Sequence, residues 1–199
     1  MASNKTRFTY HDDKRSIKHL VTYYNYDRIR SDSWFDENGR YHRVDGPAHT
    51  EYFDTDVPCV YREDYYIHGQ LHRDDGPCCR VWNLMGTLCY EQWRDHGGIS
   101  DKGPYIRSWY EDGTKSSVMW KLCRHPKPSS KTYDEEGNIV RKEWYSNAHK
   151  DDDGRYPELH RDDGPAIQVW KNGVLFREEF YHCGEKYDPL PMIHTKKAC

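Results

Sequence analysis

A seven-residue phrase constrains this chain more than any other feature of it. His42-Arg43-Val44-Asp45-Gly46-Pro47-Ala48 returns as His72-Arg73-Asp74-Asp75-Gly76-Pro77-Cys78, and again as His160-Arg161-Asp162-Asp163-Gly164-Pro165-Ala166. A worn copy, Asp101-Lys102-Gly103-Pro104, stands between the second and the third. The steps Gly46 to Gly76 and Gly76 to Gly103 are 30 and 27 residues; the step to Gly164 is 61, about two periods. A fixed interval of this size marks supersecondary units that cannot bury an apolar face alone and stack on one another to do so. The double step predicts one unit whose motif has eroded.

Two further columns run in phase with the motif. Six residues after each motif glycine stands Tyr52, Trp82, Trp109 or Trp170. A second glycine follows at Gly86, Gly113, Gly137 and Gly173, and seven residues beyond each is Trp93, Trp120, Trp144 or Phe180. The eroded unit therefore falls at about residues 128–158, with Tyr133, Gly137 and Trp144 in the expected places. Ser31-Asp32-Ser33-Trp34-Phe35-Asp36-Glu37-Asn38-Gly39 matches the end of a unit, as in Asp64-Tyr65-Tyr66-Ile67-His68-Gly69 and Glu179-Phe180-Tyr181-His182-Cys183-Gly184. Residues 19–39 thus read as an atypical first hairpin, as terminal units that cap a stack are expected to be.

Each unit reads as strand, tight turn, strand. Ala166-Ile167-Gln168-Val169-Trp170 is short and β-branched, Asn172-Gly173 is a strong hairpin turn because both residues tolerate positive φ, and Val174 begins the return. Glu111-Asp112-Gly113 and Glu135-Glu136-Gly137 act alike. No segment keeps a helical period, so helices are expected to be few and short. Hydrophobic residues make up only 35% and mean hydropathy is -1.15, yet 17 Tyr, 7 Trp and 5 Phe supply large buried area from few positions. The expected fold is all-β: an elongated, twisted, mainly antiparallel array of about six β-hairpin repeats with a thin aromatic core. It forms a single domain over residues 19–187, after an N-terminal extension (1–18) and before a C-terminal tail (188–199). The register stays open, because Gly164 to Gly173 spans nine residues where Gly76 to Gly86 spans ten.

The motif reads as a structural clasp, formed by His42, Arg43, Asp45, Gly46 and Pro47, by His72, Arg73, Asp75, Gly76 and Pro77, and by His160, Arg161, Asp163, Gly164 and Pro165. Glycine supplies a backbone conformation that other residues avoid, and proline fixes φ at a strand entry. The Asp suits nearby backbone N–H groups, the Arg an acidic neighbour in an adjacent unit, and the His a hydrogen bond to the next connector.

The repeat resembles MORN-like hairpin arrays, in the variant whose units carry His-Arg-x-Asp-Gly-Pro-Ala. The resemblance covers about residues 31–187, and its most specific pieces are residues 72–77 and 160–166. The Tyr-x-Gly-x-Trp core of ordinary MORN units is not reproduced. The resemblance implies an elongated β-array, of a kind encountered in large DNA viruses, bacteriophages and sometimes bacteria. It implies scaffolding and protein–protein contact, in some arrays contact with acidic lipid, and no reaction.

The residues give little support to catalytic or metal chemistry. His-Arg-Asp at 72–74 and 160–162 matches a kinase catalytic loop in three letters only; the Gly-rich loop, the strand Lys and Asp-Phe-Gly are missing. A motif present in several units is structural before it is catalytic, since a reaction needs one convergent pocket. Cys78-Cys79, or His182-Cys183 with His194 and Cys199, lack the paired spacing of a zinc site, and Asp151-Asp152-Asp153-Gly154 lacks the alternation of a calcium loop. No metal, cofactor or catalytic residue is therefore expected.

The net charge of -3 shows no basic excess for duplex nucleic acid, although Lys121, Arg124, Lys127 and Lys131 lie close together. Arg107-Ser108-Trp109-Tyr110 and Arg141-Lys142-Glu143-Trp144-Tyr145 have the composition of a base-stacking surface, but their Trp positions keep the repeat phase and read as core. No apolar run approaches the ~18–20 residues that span a bilayer, and the first residues lack a signal sequence. The seven cysteines make no Cys-x-x-Cys pair, which suits free thiols in a reducing, cytoplasmic setting.

The expected function is a non-enzymatic scaffold for protein–protein interaction, a virus- or phage-encoded factor that binds a virion or host protein. The alternative is a module for single-stranded nucleic acid or acidic lipid. Two stretches break the period, residues 124–130 and 147–158, and such insertions often mark a binding face. Arg124, His149, Asp151, Asp152, Asp153 and Arg155 are the expected partner contacts.

Overall fold

The computed structural model describes residues 6–10, 18–24, 27–100, 103–120, 127–146 and 158–189. It is all-β, mainly antiparallel, with no helix among those residues. The chain groups into two compact units: Met1–Lys121 with Asp134–Gly137, and Leu122–Tyr133 with Asn138–Cys199.

In the first unit, β1 (Thr6–Tyr10), β2 (Lys18–Tyr23), β3 (Ile29–Phe35), β4 (His49–Tyr52) and β5 (Val60–Asp64) pair in chain order. Two short strands, β6 (Tyr66–Ile67) and β7 (Gln70–Leu71), form a ladder of their own. The main sheet resumes with β8 (Cys79–Trp82) and β9 (Leu88–Gln92). After a second small ladder, β10 (Arg94–Asp95) with β11 (Gly98–Ile99), it continues through β12 (Ile106–Trp109) and β13 (Lys115–Met119). Strand β1 lies inside the extension (1–18) set apart on sequence. The second unit holds β14 (Ser130–Tyr133), β15 (Ile139–Glu143), β16 (Ile167–Lys171), β17 (Val174–His182) and β18 (Glu185–Tyr187), again paired in order.

The register left open by the sequence follows from one irregularity in the same place. The ladder shifts between Glu51 and Tyr52, Val81 and Trp82, Ser108 and Trp109, Thr132 and Tyr133, and Val169 and Trp170. In each hairpin the aromatic six residues beyond the motif position is thus the residue at the bulge, which bends the strand and increases its twist. The uneven glycine spacing is resolved by turn type. Gly86 and Gly113 close wider turns in which Asn83 and Asp112 side chains accept the N–H groups of Thr87 and Thr114, at 2.9 and 2.8 Å. Asn172-Gly173 instead makes a two-residue turn with φ of 50° and 74°, saving one residue. An added Cβ at Gly173 would meet nothing within 4 Å, so backbone strain alone acts there. Gly173→Ala is expected to cost about 1–2 kcal/mol and Gly173→Asn less, as read by urea unfolding.

The core is small and lies where strands enter. Ala48, Cys78 and Ala166, the last residue of each motif, are fully buried, with Cys79, Trp93, Val118, Trp144 and Ile167 close behind. Side chains at the motif end are small because backbone crosses there: Ala48 and Cys78 N–H groups donate to Asp64 and Gln92 carbonyls at 2.9 and 2.8 Å. Ser129 is buried and its N–H donates to the Glu143 carbonyl at 2.8 Å, the same role. Pro128-Ser129 thus stands as Pro165-Ala166 does, with the proline five residues before Tyr133 as Pro165 is before Trp170. Beyond the turn, β17 presents Val174 and Phe176 to solvent, at 68% and 69% exposure.

The described cysteines are free. Burial pushes the Cys78 thiol up to about 11, and burial with the Asp64 charge pushes Cys79 higher still. Among the described thiols, mass mapping after brief alkylation at neutral pH should find exposed Cys183 modified first and Cys78 and Cys79 last.

Candidate functional site

The three full motif copies build one device. In the first, the His42 N–H donates to the Trp34 carbonyl and the Arg43 N–H to the Tyr66 carbonyl, at 2.9 and 3.1 Å, which pins the connector to both neighbours. The Arg43 guanidinium lies 4.4 Å over the Trp34 ring while its Nε donates to Asp45 Oδ1 at 2.9 Å. The third copy repeats this: Arg161 lies 4.2 Å over Trp144, and its Nε donates to Asp163 at 2.7 Å. Hydrogen bonds from these arginines hold the Asp45 and Asp163 carboxyls below the usual carboxylate range. In the second copy Arg73 lies 4.0 Å over Tyr65 and donates to the Pro77 carbonyl at 3.5 Å. The expectation that each Arg pairs with an acid of an adjacent unit is replaced, at Arg43 and Arg161, by a pair within the motif.

The reason for glycine also differs from the expected one at two of three places. Gly76 has φ of 144°, but Gly46 and Gly164 stay outside the left-handed region. There the guanidinium lies so close that an added Cβ would stand 3.1 and 3.2 Å from the Cζ of Arg43 and Arg161. In the worn copy the residue three before Gly103 is Ser100, and Arg107 of β12 lies over the Trp93 ring instead, at 4.9 Å.

Each motif His reaches the next two-residue turn, as expected. His42 Nδ1 accepts the His68 N–H at 3.1 Å, His72 Nδ1 the His96 N–H at 3.3 Å, and His160 Nδ1 the Cys183 N–H at 3.0 Å. Rings follow: His42 stacks on His68 at 4.3 Å, His72 lies 3.9 Å from His96, and His160 lies 4.7 Å from His182. Burial, then the neighbouring His68 charge, lowers the His42 pKa. The turns themselves, His68-Gly69, His96-Gly97 and Cys183-Gly184, place a non-glycine at φ of 47°, 45° and 47°.

Sequence reasoning overlooked two acidic devices. Arg62 donates to Asp64, Arg141 to Glu143, and Arg177 lies 2.9 Å from Glu179, each pair two residues apart just before the aromatic column. Asp36, nearly buried, accepts N–H groups from Asn38 and Arg40 at 3.0 Å and the Arg40 Nε at 2.9 Å, and its other partner is the His68 ring at 3.2 Å. The recurring Arg-x-acid-aromatic spacing was the available signal for the first device.

The surface read for base stacking is internally engaged. Arg107 lies over Trp93, Arg141 bonds Glu143, and Lys142 lies 4.6 Å over Trp170. Between the first two clasps a groove of about 640 Å³ is lined by Arg43, Val44, Asp45, Ile67, His72 and Arg73 among others. Arg124, His149, Asp151, Asp152, Asp153 and Arg155 lie outside the described residues. Among the described residues no helix is long and apolar enough to cross a membrane. Comparison of the chain with protein-family models, with curated proteins and with solved structures finds no match.

Proposed function

We propose that the chain is a non-enzymatic scaffold, a MORN-like array of β-hairpin repeats whose outer surface holds a protein partner. The observation that carries this reading is the engagement of the motif's own polar groups. The same His, Arg and Asp positions are tied into the connectors at His42–Asp45 and again at His160–Asp163. Two motif positions vary: the last, Ala48, Cys78 or Ala166, is small and fully buried, and the third, Val44, Asp74 or Asp162, faces outward. A constant clasp with a variable outward residue suits an array whose framework is fixed and whose surface is specific.

The test is a pull-down from host-cell lysate with the intact chain and with one lacking residues 148–157. A protein retained through a high-salt wash by the intact chain alone is the expected result, and it would place the contact at the second insertion. Recovery of only nucleic acid or lipid, released by salt, would overturn the scaffold in favour of the ligand-binding alternative.

A further inference from the structure

The third clasp differs from its sisters at two neighbouring turn positions. The first turn residue is His68 and His96 in the first two clasps and Cys183 in the third. The residue before it, Ile67 or Asp95 elsewhere, is His182. The turn does not require a thiol, since His68, His96 and Asn172 hold the same backbone conformation at φ of 47°, 45° and 50°. The exchange gathers a different donor set: one ligand atom from each of His160, His182 and Cys183 lies within 4.8 Å of the other two.

We propose that His160, His182 and Cys183 bind a divalent zinc-class cation. Two imidazoles and a thiolate are the borderline-soft donors that zinc takes. The His160 Nδ1 to Cys183 Sγ distance is 3.7 Å. Two ligands at ordinary Zn–N and Zn–S lengths in a tetrahedron stand about 3.5 Å apart, so that edge already has the right length. His182 and Cys183 are exposed, so side-chain rotation can bring the other two edges, now within 4.8 Å, to that length.

Asp162, the variable residue of this motif copy, supplies the orientation. Its Oδ1 lies 3.3 Å from His160 Nε2 and 3.4 Å from His182 Nδ1. A carboxylate that accepts the second N–H of a ligating imidazole fixes the tautomer and leaves the opposite nitrogen's lone pair for the metal. For His160 that lone pair is on Nδ1, where it now accepts the Cys183 N–H. The cation replaces that hydrogen bond, and the exposed N–H turns to water. The Cys183 S–H bond breaks as the S–Zn bond forms, and its proton passes to solvent. Two imidazoles and one thiolate leave the fourth position of the tetrahedron to water. The second clasp provides an internal control, because His72, Asp95 and His96 cluster there without a thiol.

The experiment is a titration of the reduced, full-length chain with Co²⁺ followed by absorbance, and with Zn²⁺ followed by calorimetry. One Co²⁺ per chain is expected, with tetrahedral visible bands and a thiolate-to-cobalt charge-transfer band in the near ultraviolet. Cys183→Asn, which the Asn172 precedent shows the turn accepts, should abolish the charge-transfer band. His182→Ala should weaken Zn²⁺ binding by about 10–100-fold or more, the loss that even an outer partner of a ligand causes. His96→Asn, in the sister turn, should change neither signal. Far-UV circular dichroism and melting of the variants alongside the wild type separate loss of metal from loss of fold. A charge-transfer band that survives Cys183→Asn, Zn²⁺ affinity untouched by His182→Ala, or a cobalt spectrum without tetrahedral bands would each overturn the site.

Discussion

Trp144→Ala is expected to lower the stability of its unit by about 3–5 kcal/mol, the cost of emptying a large aromatic site. Trp144 is 6% exposed. Its backbone is fixed on both sides, the N–H on the Ala166 carbonyl and the carbonyl on the His160 N–H, so the cavity has little freedom to collapse. Its ring is also the platform for Arg161, whose guanidinium then has no face to lie on. Arg161→Ala alone should cost less, about 0.5–2 kcal/mol for the cation–π interaction. The double variant should fall short of the sum of the two, because both substitutions remove the same ring–guanidinium pair. Urea unfolding of the four proteins gives the cycle. A Trp144→Ala loss below about 1 kcal/mol, the size of an ordinary surface change or little more, would show that the ring is not the packed centre of the clasp.

Asp36→Asn is expected to cost about 1–3 kcal/mol at neutral pH, and nothing comparable in acid. Burial by itself would raise this carboxyl. The Arg40 N–H, the Arg40 guanidinium and the His68 ring outweigh it and hold the group far below the usual carboxylate range. A carboxyl whose folded pKa is depressed contributes stability above its unfolded value, roughly 3.9 for Asp. That contribution is lost as pH falls through the lower folded value. The wild type and Asp36→Asn should therefore differ most at pH 6–8 and converge progressively below roughly pH 4. Parallel stability curves down to strong acid would mean that the carboxylate charge is not what ties this turn together.

What the sequence made legible was the part governed by period. The spacing of Gly46, Gly76 and Gly164 and the aromatic columns pointed to antiparallel hairpins, that of β14 and β15 among them, because side-chain burial in paired strands must recur with the strand. What it hid was anything set by a bond across the chain. Arg161 lies over Trp144 at a separation of 17 residues, whereas Arg43 reaches Trp34 at 9, since a variable stretch intervenes. No fixed interval exists for a reader to find. The bulge beside Trp82 and Trp170 was hidden for another reason: hydrogen-bond register belongs to pairs of strands, and one strand's letters do not state it. The grouping of His160, His182 and Cys183 joins a connector, the end of β17 and a turn, so a search for neighbouring ligand pairs passes over it.

The ladders of the main sheet within each unit join strands that follow one another in sequence, with only the small two-stranded ladders set between them. A pairing of that kind closes short loops, and the entropy of loop closure is what slows most β-proteins. Folding of each unit is thus expected to start at any well-made hairpin and to spread strand by strand, faster than for a sandwich of equal size. Among the described strands of each unit, none leaving a ribosome would have to wait for a partner made much later before it could dock.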